Sequence, residues 1–178
     1  MIVGIFGTWR ACDGDRIYTR ALQCGQVLAA AGKTVLTGGY SGVMEAASRG
    51  AVEAGGKAIG VTCPEIDKLM PANPWVTTRI PAKDLQDRLA IAFRMVEAAI
   101  FFPGRAGTMA ELSLALELRE KGTLRYPILL SCNFWDGFLQ ACDATANELP
   151  YPSTCSNDLY THYSGSVEIV NILGGGTK

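Results

Sequence analysis

Three times in this chain a short apolar run ends in glycine and passes on into a segment with helical spacing. The junctions are Phe6-Gly7-Thr8, Thr37-Gly38-Gly39-Tyr40-Ser41-Gly42 and Phe102-Pro103-Gly104-Arg105-Ala106-Gly107-Thr108. The runs before them, over 2–6, 34–37 and 98–102, have the length and side chains of buried strands. The segments after them repeat apolar residues three or four apart, as Ile17, Ala21, Cys24, Leu28 and Ala31 do. A strand that feeds a helix and then another strand forms a parallel sheet with crossover helices.

The rest of the chain keeps that alternation. Further strands are expected over 58–62, 77–80, 127–131 and 159–162. Helices are expected over 15–31, 43–54, 83–97, 108–121, 135–148 and 166–173. Residues 63–76, with Pro64, Pro71 and Pro74, read as an irregular loop. The run over 98–102 is apolar throughout, so both of its faces are covered, as in a central parallel strand. The expected fold is α/β: one doubly wound, mostly parallel, Rossmann-like sheet with helices on both faces. A chain of 178 residues favours one domain, placed over 1–173, with a loose tail over 174–178.

Composition narrows the function. Hydrophobic residues make up 48% and charged residues 19%, which excludes a disordered chain. A formal net charge of -1 argues against gripping nucleic acid or an anionic membrane surface. No apolar run reaches the ~20 residues of a membrane span. The start, Met1-Ile2-Val3-Gly4-Ile5-Phe6, lacks the charged region of a signal peptide, and a cytoplasmic location is expected. The six cysteines form no C-x-x-C pair, and His162, the single histidine, has no cysteine near it in sequence. No metal site is expected, and the thiols read as reduced and mostly buried.

In an open parallel sheet, ligands bind at the edge formed by the carboxyl ends of the strands. Glycine lets backbone approach a ligand, and the following helix offers unpaired N–H groups and a positive dipole end. Three such turns on one edge suit a phosphate-bearing ligand. The alternative at each is that glycine only permits a tight turn. The first turn lacks G-x-G-x-x-G spacing, and no G-K-[ST] follows any glycine loop. NAD, FAD and ATP hydrolysis therefore lack support, and no cofactor is expected.

Pro103-Gly104-Arg105-Ala106-Gly107-Thr108-Met109-Ala110-Glu111 resembles the P-G-G-x-G-T-x-x-E signature of the LONELY GUY (LOG) family of nucleoside 5'-monophosphate phosphoribohydrolases, often labelled lysine decarboxylases. Gly38-Gly39-Tyr40-Ser41-Gly42-Val43-Met44-Glu45-Ala46-Ala47 resembles the family's G-G-x-x-G-[LIV]-M-E-A-A turn and helix. Phe6-Gly7-Thr8 resembles its F-G-S, and Arg125-Tyr126-Pro127-Ile128 with Phe134-Trp135-Asp136-Gly137-Phe138 resembles its late strand and helix start. The likeness covers about the first 140 residues. Two positions depart from the pattern: the second signature glycine is Arg105, and the lysine that follows the family's catalytic arginine is Leu89.

The resemblance implies catalytic roles for Arg88 and Glu111. It implies phosphate or ligand binding by Gly7, Thr8, Gly38, Gly39, Gly42, Met44, Gly104, Arg105, Ala106, Gly107 and Thr108. The implied reaction cleaves the N-glycosidic bond of a nucleoside 5'-monophosphate, a cytokinin nucleotide or an AMP-like one, to free base and ribose 5-phosphate. The implied assembly is a homodimer or larger, with no nucleic acid or membrane partner. A carboxylate such as Glu111 stabilises the cation-like sugar of such a reaction and orients water. The plain alternatives are an ordinary first-turn glutamate for Glu111 and a snorkelling arginine or a partner of Asp87 for Arg88. Trp9-Arg10 has the chemistry to stack on a base and meet a phosphate, or to form a lid or interface. The competing function is a non-catalytic nucleotide or molybdenum-cofactor binding or carrier protein on the same fold, because relatives that only bind ligands share the signature.

Overall fold

The structure, a computed structural model, describes residues 1–148 and 159–174. In chain order the elements are β1 (Ile2–Phe6), α1 (Arg16–Ala30), β2 (Thr34–Thr37), α2 (Val43–Glu53), β3 (Ala58–Thr62), α3 (Pro64–Asp67), β4 (Thr78–Pro81), α4 (Leu85–Met95), β5 (Ala98–Phe101), α5 (Ala106–Glu120), β6 (Ile128–Leu130), a 3-10 turn (Asn133–Trp135), α6 (Asp136–Glu148), β7 (Thr161–His162) and α7 (Ser166–Gly174). The strands form one seven-stranded sheet in the order β4-β3-β2-β1-β5-β6-β7, and every pair is parallel.

Strand alternation divides the core in two. Val3 and Ile5 of β1, with Val35, Ala98, Ile100 and Leu129, pack under Tyr18, Cys24 and Leu28 of α1, Ala46 and Ala47 of α2, and Ile169 and Leu173 of α7. Phe6, Leu36, Val61, Phe101, Ile128 and Leu130 point to the opposite face, under Phe93 of α4, Leu112 and Ala115 of α5, and Trp135. Period-two side-chain placement in strands produces this split, and it covers both sides of the sheet. Phe6 stacks between Phe93 and Phe101, at centroid distances of 5.5 and 5.0 Å.

The chain builds outward from β1 to β4, then returns to pair β5 with the other side of β1. Helix α1, after β1, covers one face, and α5, after β5, covers the other. Their connections diverge and leave a crevice above the carboxyl ends of β1 and β5, the place where doubly wound sheets bind ligands.

Several expectations need correction. The segment 63–76 is not wholly irregular: α3 opens it, with Pro64 at the first helical position, where a missing N–H costs nothing. Helix α5 starts at Ala106, two residues earlier than expected, so Gly107 and Thr108 lie in its first turn. Gly107 has no positive φ and open space around it, so it fits an ordinary helical position at the entropic cost of a glycine. Trp135 closes a 3-10 turn rather than opening α6. The last helix runs on through Gly174, and 175–178 of the expected tail lie outside the described residues. The thiols are less buried than expected: Cys24 and Cys63 are buried, Cys132 is intermediate, and Cys12 and Cys142 are exposed, all unpaired. Cys155 lies outside the described residues. No helix among the described residues is long and apolar enough to cross a membrane.

Candidate functional site

The crevice holds a cleft of about 280 Å³. Gly7 and Thr8 reach it from the loop after β1, Gly38 from the loop after β2, and Met44 from the first turn of α2. Arg88 comes from α4, and Arg105, Gly107, Thr108 and Glu111 from the start of α5. The turns are tied together. The Thr8 N–H donates to the Pro103 carbonyl at 3.0 Å, and the Val43 N–H donates to the Thr8 carbonyl at 2.9 Å.

Arg88 is the structural centre of the cleft. Its helix is capped by Asp84, whose carboxylate accepts the Asp87 N–H at 2.8 Å, while Asp87 accepts the Lys83 N–H at 2.9 Å. Asp87 is thus engaged in the cap, as in a reciprocal capping box. Arg88 is only 7% exposed. Its Nε donates to the Val61 carbonyl at 2.9 Å, Nη2 lies 3.9 Å from the Met44 sulfur, and the head stands 5.7 Å from the Tyr40 ring centroid. Nη1 is 3.8 Å from Glu111 Oε1, an ion pair without a hydrogen bond.

Gly38 makes this arrangement possible. A Cβ there would run into Arg88 Nη2 and the Met44 sulfur. The glycine therefore serves the buried guanidinium as well as the cleft wall. Gly42 has φ +72, and its missing side chain leaves room for the Thr8 carbonyl and the Trp9 backbone.

Glu111 lies in the second turn of α5, not the first, with its side chain 13% exposed. Burial pushes its carboxyl up from 4.5 to about 7, against the opposing pull of the Arg88 guanidinium. A carboxyl poised near neutrality in a cleft, beside a fixed cation, is suited to moving a proton at neutral pH.

Gly39, Gly42, Gly104 and Ala106 do not line the cleft. Gly39 (φ +79) packs on Gly60 and Thr62, and Gly104 lies against the Thr108 side chain. Arg105 is exposed at the N-cap of α5, with its backbone extended. Leu89 lines the cleft with an apolar side chain.

Sequence reasoning missed three residues. Tyr40 backs Arg88 and is fixed by the Cys63 N–H, which donates to its hydroxyl at 2.8 Å. The aromatic inside the glycine turn was the available signal. Ile66 and Leu85 complete the wall, and neither had one. His162 stands apart, 3.3 Å from Asp136. No cluster of three or more His, Cys, Asp or Glu residues fit to hold a metal occurs among the described residues.

Comparison with known proteins bears on this cleft. An uncharacterized protein of Archaeoglobus fulgidus is 29% identical over 131 residues, 73% of this chain and 83% of that one. The pyrimidine/purine nucleotide 5'-monophosphate nucleosidase of Escherichia coli K12 is 33% identical over 102 residues, 53% of this chain but 22% of that enzyme. The chain thus spans under a quarter of the nucleosidase. The molybdenum cofactor binding protein of Rippkaea orientalis superposes with a TM-score of 0.72 at 26% identity, covering 98% of this chain and 95% of that one. Residues 1–127, which carry every residue of the cleft, match the SLOG cluster4 family, and the chain belongs to that family.

Proposed function

We propose that the protein is a LOG-type phosphoribohydrolase that cleaves the N-glycosidic bond of a nucleoside 5'-monophosphate, giving free base and ribose 5-phosphate. The observation that carries this reading is the Arg88–Glu111 ion pair lining the cleft, Arg88 buried and Glu111 mostly so, with the Glu111 carboxyl pushed up to about 7. The local likeness to the nucleosidase supports it. The cleft, about 280 Å³, lies at the small end of the roughly 300–1,000 Å³ range of ligand clefts, which favours a mononucleotide over a larger ligand.

In this reading the phosphate sits at the N-terminus of α5, where first-turn N–H groups and Arg105 meet its charge. The bond between C1′ and the base nitrogen breaks with its electron pair on the base, and the sugar becomes cation-like. The Glu111 carboxylate stabilises that charge and takes a proton from the water whose oxygen bonds C1′. The proton then passes to the departing base, which balances the reaction. Arg88, immobilised by the Val61 carbonyl and by Gly38, keeps Glu111 and the ribose in place. Replacing Glu111 by Gln is expected to lower turnover of a monophosphate by roughly 10²-fold or more while binding persists. Unchanged turnover refutes the assignment.

A second reading, favoured by the whole-chain likeness to the molybdenum cofactor binding protein, is a non-catalytic binder using the same cleft. Tight binding of a phosphate-bearing ligand with no turnover of any monophosphate supports it. We also propose a homodimer. The groove of about 710 Å³ between α4 and α5, lined by Leu89, Phe93, Leu114, Leu118 and Tyr126, is the face it buries. Light scattering at micromolar concentration tests this, and a monomer refutes it.

A further inference from the structure

The bond-breaking pair does not account for the apolar side chains that line the cleft. Thr8, Arg88, Arg105, Thr108 and Glu111 supply the polar side chains, and Trp9, Met44, Ile66, Leu85 and Leu89 form an apolar wall. Trp9 is the most exposed residue of that wall, ahead of Leu85 at 44%. It is 50% exposed, whereas Trp135 is 1% exposed and Trp75 is half-buried with the Arg49 guanidinium 5.7 Å from its ring centroid. A large aromatic left in water forgoes the burial that usually stabilises it.

The backbone beneath this exposed ring is nevertheless tightly held. The Ser41 hydroxyl donates to the Trp9 carbonyl at 2.9 Å. Gly42 lies against the Trp9 backbone with no room for a side chain. The Arg10 N–H donates to the Thr8 hydroxyl at 3.2 Å, and Thr8 itself is bonded on both sides, to Pro103 and Val43. The Arg10 guanidinium stands 5.0 Å from the indole centroid. A rigid backbone that presents an exposed, cation-backed aromatic offers contact area at little conformational cost.

We infer that the Trp9 indole is the platform on which the planar base of the nucleotide stacks, and that it selects the base by stacking area rather than by its hydrogen-bonding edge. The inference rests on the reading of the cleft as a monophosphate site. The side chains of Met44, Ile66, Leu85 and Leu89, which line the cleft together with Trp9, carry no amide, hydroxyl or carboxylate to read a base edge. Every base offers a π-face, so purines bind more tightly than pyrimidines by a modest factor, and adenine and guanine are treated alike.

The test titrates AMP, GMP, CMP and ribose 5-phosphate against the full chain, Trp9→Phe and Trp9→Leu, in a Glu111→Gln background so that ligand is not consumed. AMP is expected to quench the fluorescence that Trp9→Phe removes. Trp9→Leu should raise the Kd of AMP and GMP roughly 5- to 150-fold, the range for loss of one base–aromatic stack, while Trp9→Phe stays near the parent. Ribose 5-phosphate should bind all three alike. If AMP binds Trp9→Leu as tightly as the parent and quenches nothing, the stacking role falls and the phosphate site stands. If neither AMP nor ribose 5-phosphate binds the parent, both the site and the stacking role fall.

Discussion

Replacing Glu111 by Gln should make the protein more stable as well as less active, and only above a definite pH. The carboxyl titrates at about 7 in the folded chain and at 4.5 when exposed. Its folded-state pKa is raised, so the native state holds this proton more tightly than the unfolded chain does. The stabilisation this confers is fully present below pH 4.5 and is lost as pH rises through about 7. At roughly 1.4 kcal/mol per pKa unit, the native state gives up about 3 kcal/mol between those limits. Gln keeps the shape and cannot ionise, so it does not follow that decline. Urea unfolding of both proteins from pH 4 to pH 8.5 reads the difference. The gap between them should grow in favour of Glu111→Gln by up to about 3 kcal/mol, with most of the change between pH 5 and pH 7. A gap that does not vary with pH refutes a buried carboxyl at this position, and a gap that grows in the opposite direction shows that Arg88 dominates over burial.

Other outcomes follow from the same geometry. On the proposal that the turn before α5 holds phosphate, AMP should raise the melting temperature far more than adenosine, and equal protection by both refutes the phosphate site. Gly38→Ala should displace the Arg88 head from the Val61 carbonyl and from Glu111, at a cost of about 1–3 kcal/mol in urea unfolding and with loss of turnover. A Gly38→Ala protein with parental stability and turnover shows that Arg88 has room to move. Arg105→Gly should weaken monophosphate binding by about 1–3 kcal/mol in a calorimetric titration, the worth of a charged hydrogen bond. Tighter binding by Arg105→Gly identifies the arginine as an obstruction and favours the non-catalytic reading.

The sheet was legible because its strands announce themselves. The runs at β1, β2, β3 and β5 are apolar, and three of them stop at glycine turns, so the edge where the cleft lies followed from the sequence. The boundaries that moved lie where local signals compete. The glycine turn reads as continuing through Gly107, yet Gly107 already sits in the first turn of α5. Glycine spacing also conveys that Gly38 matters without conveying why. Its reason is the Arg88 head, which arrives from a helix two strands later. Resemblance pointed to Arg88 and Glu111 separately, whereas their 3.8 Å approach comes from α4 and α5 covering the same face of the sheet. Ile66 was invisible because a four-residue helix leaves no periodicity to read, and Tyr40 was marked only as the aromatic within a glycine turn.

Product identity after incubation with AMP tests the central claim most directly. Chromatography separates adenine and ribose 5-phosphate, from cleavage at C1′, from adenosine and inorganic phosphate, from cleavage at the ester. The proposed reaction predicts equimolar adenine and ribose 5-phosphate from the parent, and a loss of roughly 10²-fold or more with Glu111→Gln. Adenosine with inorganic phosphate, or bound AMP recovered intact from the parent with every other monophosphate likewise unchanged, contradicts it.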